Sequence, residues 1–307
     1  MSVPSRCRKR GRRTKEEDHR GCPTETATDG RRRSDDYSSL AYWDNRYSKG
    51  VSWEWYCAFE HIRPLFERFI SKWEDSRVLE VGCGDKPLAW DMRAAGHAGR
   101  NCSFDCSPTV IEQLVAEKES CDRKRLDDDV DFRVLDAKKL PFEAGSFDIV
   151  VDKGTVDALL CDGTGTSNAR AACAEAARVL AHGGWLVVVS HVDPATDEGA
   201  SLLSEVLVPA MQESTPAGKG NGESDAFSWS IDVHCSSEDD DEGENGPCCD
   251  EAEEDGGFGE ECVAGDEDAT SGRGPSVYMA RKVATRQTRA SGKGQRQQEV
   301  AIRIHEY

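Results

Sequence analysis

The run Val78-Leu79-Glu80-Val81-Gly82-Cys83-Gly84-Asp85 constrains this chain more than any other. Its apolar residues predict a strand, and the two glycines predict that the strand breaks into a sharp turn. Glycine there leaves bare backbone against which a ligand can lie. A dinucleotide fingerprint, G-x-G-x-x-G, needs a third glycine three residues after Gly84. Pro87 stands at that place, so the usual helix start for a pyrophosphate is not encoded. Glu80, two residues before the first glycine, suits a ligand with a cationic end. Taken alone, the motif also fits an ordinary strand-to-helix turn in any α/β protein.

The following hundred residues repeat the pattern. Asn101–Asp105 predicts a second strand, ending in an acid at the spacing where a carboxylate reaches ribose hydroxyls. Asp131–Asp136 predicts a third strand, again closed by an acid, and Ser146–Asp152 a fourth that is apolar enough to be buried on both faces. Arg178–Ser190 reads as a helix end, a break at Gly183-Gly184 and a fifth strand. Strands alternating with helices predict a parallel sheet with both faces covered. In such sheets ligands bind at the carboxyl ends of the strands, where Asp85, Asp105, Asp136 and Asp152 all fall.

With these residues in view, the chain resembles the class I, seven-stranded S-adenosylmethionine-dependent methyltransferases. Two segments are similar to one methyltransferase-like subgroup in particular. They are Tyr42-Trp43-Asp44-Asn45-Arg46-Tyr47 with Trp53-Glu54-Trp55-Tyr56, and Val151-Asp152-Lys153-Gly154-Thr155-Val156-Asp157-Ala158-Leu159-Leu160. The subgroup usually has Glu where this chain has Asp152, and Asn-Ser where it has Asp85-Lys86. It includes lysine methyltransferases of elongation factor 1-alpha and the methyltransferase region fused to endothelin-converting enzyme. The resemblance spans about residues 38–234 plus 276–283.

That resemblance implies a Rossmann-like α/β fold: a seven-stranded, mostly parallel sheet with a terminal antiparallel hairpin and helices on both faces. It implies S-adenosyl-L-methionine as cofactor. Glu80, Gly82, Cys83 and Gly84 would hold its methionine end, with Trp43 and Tyr47 closing over it and Trp55 as a further ring. Asp105 would accept from the ribose hydroxyls, with Cys106 beside the adenine. Asp136 and Ala137 would meet the adenine edge, and Lys153 would lie near the amino-acid part. Asp157 reads equally as a residue near the substrate and as a helix-start residue. For His191 a capping or surface role outweighs a place in the site, and no general base is assigned. The implied activity is methylation of a protein lysine, with elongation factor 1-alpha as the target suggested. Small-molecule methylation and a non-catalytic cofactor-binding interaction module stay open as alternatives.

Composition sets the surroundings. The chain has 307 residues and a formal net charge of −19. Glu238–Asp268 holds 16 acidic residues and no Lys or Arg; without them the net charge is −3. Segment 236–274 is too poor in apolar residues to offset the entropy of ordering, so it reads as a disordered acidic insert. The expected organisation is a basic tail over 1–36, a methyltransferase domain over 37–283 interrupted by that insert, and a polar basic tail over 284–307. The first tail, with Arg8–Arg13 and Arg31–Arg33, lacks the apolar stretch of a secretory signal and reads as solvated rather than nucleic-acid-binding. The 13 cysteines include no C-x-x-C pair, which argues against zinc and for reduced thiols. No apolar run approaches the roughly 20 residues that span a bilayer. A cytoplasmic location is expected, with nuclear and mitochondrial destinations left open.

Overall fold

Strand β1 (Val78–Val81) is flanked on both sides by parallel neighbours, β2 (Asn101–Asp105) and β4 (Phe147–Lys153). The computed structural model describes residues 37–50, 52–120, 129–161, 165–214, 227–235, 274–284 and 300–306. The predicted tail over 1–36 and the predicted insert from 236 to 273 lie outside the described residues. β3 (Val130–Val134), β5 (Leu180–Ser190), β6 (Phe227–Cys235), β7 (Ser276–Ala284) and β8 (Val300–Glu306) complete a sheet ordered β3-β2-β1-β4-β5-β7-β6-β8. β7 pairs antiparallel with both β5 and β6, and every other pairing is parallel. Among the described strands, β7 alone therefore runs against the rest. The carboxyl ends of β1–β6 and of β8 share one rim with the start of β7.

Alternation along the strands divides the core between two faces. On one face Leu79, Val81, Val150, Leu186, Val188, Ile231 and Tyr278 pack together with α6 (Ser167–Val179). Ala169, Ala172, Cys173, Ala176 and Ala177 are buried there, and their small side chains let that helix lie close to the strands. On the other face Val78, Ile149, Val151, Val187, Val189 and Met279 meet α2 (Phe59–Phe69). Phe59, Ile62 and Phe66 recur at helical spacing on its buried stripe and pack with Trp73. Fully burying side chains of this size stabilises by about 1.5–3 kcal/mol each. The remaining helices are α1 (Leu40–Ser48), α3 (Leu88–Ala94), α4 (Pro108–Ser120), α5 (Thr155–Leu160), α7 (Asp197–Ser201) and α8 (Val208–Glu213), the last two joined by a π-helical stretch over Leu202–Leu207.

Three differences from the sequence reading have local causes. β3 stops at Val134, so Asp136 lies in the following turn rather than at a strand end. Its carboxylate accepts from the Lys138 amide at 2.9 Å, a short-range bond that favours turning. Gly183-Gly184 does not separate a helix from a strand. It forms a bulge inside β5, where Phe147 pairs with Leu180 but Ile149 pairs with Trp185. The tail predicted over 284–307 contributes β8, an eighth strand parallel to β6.

Candidate functional site

The turn after β1 is built to approach other groups closely. Gly82 and Gly84 have φ of +62° and +54°. A Cβ on Gly82 would fall 1.8 Å from Thr155 Oγ1, and one on Gly84 would fall 3.3 Å from the Tyr47 hydroxyl. The turn is thus wedged between the start of α5 and the ring of Tyr47. The Cys83 amide donates to the Phe104 carbonyl at 2.9 Å, tying the turn to β2. The Cys83 thiol is buried, and its loss of solvation pushes its pKa well up.

Glu80 is buried beneath this turn. It accepts from the amides of Leu88 at 2.6 Å and Ala89 at 3.3 Å, and from the Ser103 hydroxyl at 2.6 Å. Burial pushes its carboxyl up to about 7, against the pull of those donors. The sequence suggested that Glu80 serves a cationic ligand end; in the structure its oxygens carry the opening amides of α3. A dinucleotide pyrophosphate would need those same amides. Pro87, the residue before α3, has no amide hydrogen to add. The donor set therefore suits a ligand without phosphates, and S-adenosylmethionine is such a ligand.

Asp105 ends β2 and is also buried. Its Oδ2 accepts from the Gly84 amide at 3.1 Å and its Oδ1 from the Ser107 amide at 2.9 Å. Each oxygen keeps a further lone pair for a hydroxyl. Burial raises its pKa, and these amides work in the opposite direction. Cys106 lies beside it, its residue surface exposed but its thiol pushed up to about 12 by partial loss of solvation and by the Asp105 charge. Asp136 is exposed, while Ala137 is half-buried against the core face that holds α6.

α1 covers the turn with aromatic rings. Trp43 and Tyr47 stack with centroids 5.7 Å apart, and Trp55 meets Trp43 edge-on at 5.9 Å. The Arg46 guanidinium sits 5.3 Å from the Trp55 ring. Two polar latches hold the assembly. The Ser107 hydroxyl donates to Asp44, and the Lys153 ammonium, nearly enclosed, donates to Glu54. Lys153 also donates to the Trp55 carbonyl at 3.1 Å. The structure thus brings Trp43, Tyr47, Trp55, Gly82–Gly84, Asp105 and Lys153 to one rim.

Sequence reasoning missed a second cluster on that rim. Asp157, buried at the start of α5, accepts from Ser190 Oγ at 2.7 Å and from the His191 amide at 3.2 Å. The His191 ring Nδ1 lies 3.2 Å from Asp157 Oδ2 and 3.2 Å from the Tyr56 hydroxyl. Tyr56 has φ of +62°, a conformation that costs roughly 1–2 kcal/mol in a residue with a side chain. Gly154 makes room for it: a Cβ there would come 3.0 Å from the Tyr56 ring. Burial and the Asp157 charge raise the Tyr56 pKa. Asp152, next in depth, accepts from the Val156 amide at 3.2 Å, and burial pushes its carboxyl up to about 8. The available signal was position: Asp157 lies four residues after β4 and His191 directly after β5, both beyond the carboxyl ends of parallel strands. Among the described residues no cluster of His, Cys, Asp and Glu is arranged to hold a metal ion, and no helix is long and apolar enough to cross a membrane.

Comparisons with known proteins agree with this geometry. Residues 79–188 match the family described as a methyltransferase domain. A zebrafish "eEF1A lysine and N-terminal methyltransferase" is 28% identical over 206 residues, covering 66% of this chain and 26% of that protein. A mouse "EEF1A lysine methyltransferase 4" is 27% identical over 169 residues, covering 52% of this chain and 63% of that protein. A bovine protein of the same description is 29% identical and covers 57% of this chain and 58% of its own length. The chain thus spans about a quarter of the zebrafish protein and less than two thirds of each mammalian one. The glycine turn, the acid closing β2 and the matched stretch, residues 79–188, together resemble an S-adenosylmethionine-dependent methyltransferase domain.

Proposed function

We propose that this chain methylates a lysine side chain of a protein, with elongation factor 1-alpha the first target to test. One observation carries the reading: the stacked rings of Trp43 and Tyr47, joined by Trp55, lie over the glycine turn. Rings so placed suit a sulfonium and an approaching ammonium, because an aromatic face attracts cations. The names of the zebrafish and mouse relatives support the same target class.

S-adenosylmethionine supplies an activated methyl group that moves by in-line displacement. The protein's part is to align and to exclude water. In this reading Gly82–Gly84 offer bare backbone to the amino-acid end, and Asp105 accepts from the ribose hydroxyls. Lys153, pinned by Glu54, fixes the Trp55 backbone beside them. Tyr47, Trp43 and Trp55 close the site from above.

The test is to incubate the full chain with labelled S-adenosylmethionine and either purified elongation factor 1-alpha or a lysate. Peptide mass spectrometry is expected to find methyl groups on lysine. Trp43→Ala is expected to slow transfer about 2–30-fold, the loss of a cation–π contact worth about 0.5–2 kcal/mol. Far-UV circular dichroism should show that variant folded. Efficient methylation of small metabolites with no labelled protein would refute the lysine reading.

A further inference from the structure

A lysine acceptor reaches neutral solution as an ammonium and cannot attack until it loses a proton. The reaction therefore needs somewhere for that proton to go. On the glycine half of the rim the carboxylates Glu80 and Asp105 are buried and already accept backbone amides. The β4–β5 half differs. There the half-exposed imidazole of His191 has its Nδ1 3.2 Å from the buried Asp157 carboxylate. With the Nδ1 proton directed at Asp157, the basic lone pair lies on Nε2. The Tyr56 hydroxyl lies 3.2 Å from the same nitrogen and donates to Asp157, so the three side chains form one cluster. Asp157 is itself held by Ser190 Oγ and by the His191 amide.

The backbone around this cluster is shaped to present it. Tyr56 takes up a left-handed conformation, and Gly154, at φ +81°, leaves space for its ring. Thr155, next in the chain, is the residue wedged against Gly82. The cluster and the glycine turn thus share one segment, 154–157. The titratable groups around the imidazole are Asp157 and Tyr56 in direct contact, with Asp152 and Cys161 acting through Tyr56.

The geometry points to His191, oriented by Asp157 and Tyr56, as the group that takes the proton from the acceptor amine before methyl transfer. The assignment rests on the lysine reading above. In balance, one N–H bond of the substrate ammonium breaks and a new N–H bond forms on His191, leaving a neutral amine. The amine's lone pair forms the new N–C bond as the methyl–sulfur bond breaks, its electron pair remaining on sulfur as a neutral thioether. The half-exposed imidazolium then returns its proton to water.

The experiment compares wild type, His191→Ala and Tyr56→Phe in the labelled-lysine assay from pH 6.5 to 10, with cofactor affinity measured by calorimetry. His191→Ala is expected to lower kcat about 100-fold or more at neutral pH, the usual scale of general base catalysis, while cofactor affinity and acceptor KM stay within about threefold. The deficit should shrink as pH rises toward 10, because the acceptor then loses its proton unaided. Tyr56→Phe, which keeps the ring and removes the hydroxyl, should produce a smaller deficit with the same pH dependence. An unchanged kcat, or a deficit that persists undiminished to pH 10, overturns the assignment while leaving the lysine reading in place. A wild type that labels no lysine overturns both.

Discussion

The two halves of the rim hold buried carboxylates on different kinds of partner. Around β1 and β2, Glu80 and Asp105 accept from the amides of Leu88, Ala89, Gly84 and Ser107, and Glu80 also from the Ser103 hydroxyl. Around β4 and β5, Asp157 faces a phenol, a hydroxyl and an imidazole. Neither a backbone amide nor a serine hydroxyl gives up its proton readily, so the donors to Glu80 and Asp105 serve to hold a shape. Phenol and imidazole can exchange protons, so the second half can take part in chemistry. One rim thus combines a fixed cradle with a titratable flank.

The contrast breaks most sharply at Gly82. Gly82→Ala forces a left-handed alanine and brings its Cβ against Thr155 Oγ1. Conformational strain of about 1–2 kcal/mol and overpacking of about 1–3 kcal/mol should together lower stability by about 3 kcal/mol. Urea denaturation checks this, and adding Thr155→Ala should recover the overpacking part alone. Full recovery by the double variant would mean that the left-handed turn costs nothing.

Asp105→Ala comes next. It removes an acceptor from two amides and from the proposed ribose contact, and should weaken S-adenosylmethionine binding by about 1–3 kcal/mol. Calorimetry giving equal affinity for both proteins would remove Asp105 from the cradle.

A pH profile tests the other half. Burial raises the folded-state pKa of Asp152 to about 8, against about 3.9 for an unfolded chain. The native state therefore holds a proton that the unfolded state has released. The stability this contributes is complete below about pH 4 and is lost as pH rises through 8. Asp152→Asn should abolish that part of the pH dependence, which amounts to at most about 1.4 kcal/mol per pH unit. Parallel stability curves for both proteins between pH 4 and 8 would show that Asp152 is not the group responsible.

Strand sequence and glycine turn were legible because their signals are local. Val78–Val81 and Phe147–Asp152 are short apolar runs, and Gly82 and Gly84 are needed for a positive φ. The partners of Glu80 were not legible, because they depend on where α3 begins in space. Nor was the Tyr56–Asp157–His191 cluster, whose members are up to 135 residues apart. Tyr56 has no sequence mark of its left-handed backbone; the glycine that accommodates it is Gly154, almost a hundred residues on. β8 was missed for another reason. Val300, Ile302 and Ile304 do alternate with polar or small residues, but the surrounding composition is that of a tail, and Ile302 and Ile304 remain exposed at the sheet's edge.

The lone reversed strand has an electrostatic consequence. β6 ends at Cys235 and β7 begins at Ser276, which pairs with Ser190, the residue before His191. Both tethers of the intervening segment are therefore planted on the reactive rim, and that segment contains the 16 acidic residues of Glu238–Asp268. The segment that carries most of the molecule's net charge thus leaves and rejoins the sheet at the titratable flank. Negative charge within about 8–10 Å of a surface, in physiological salt, raises the local concentration of cations there and lowers that of anions. On the protein-lysine reading proposed above, a segment of that charge tethered there favours basic polypeptides over acidic ones at the rim.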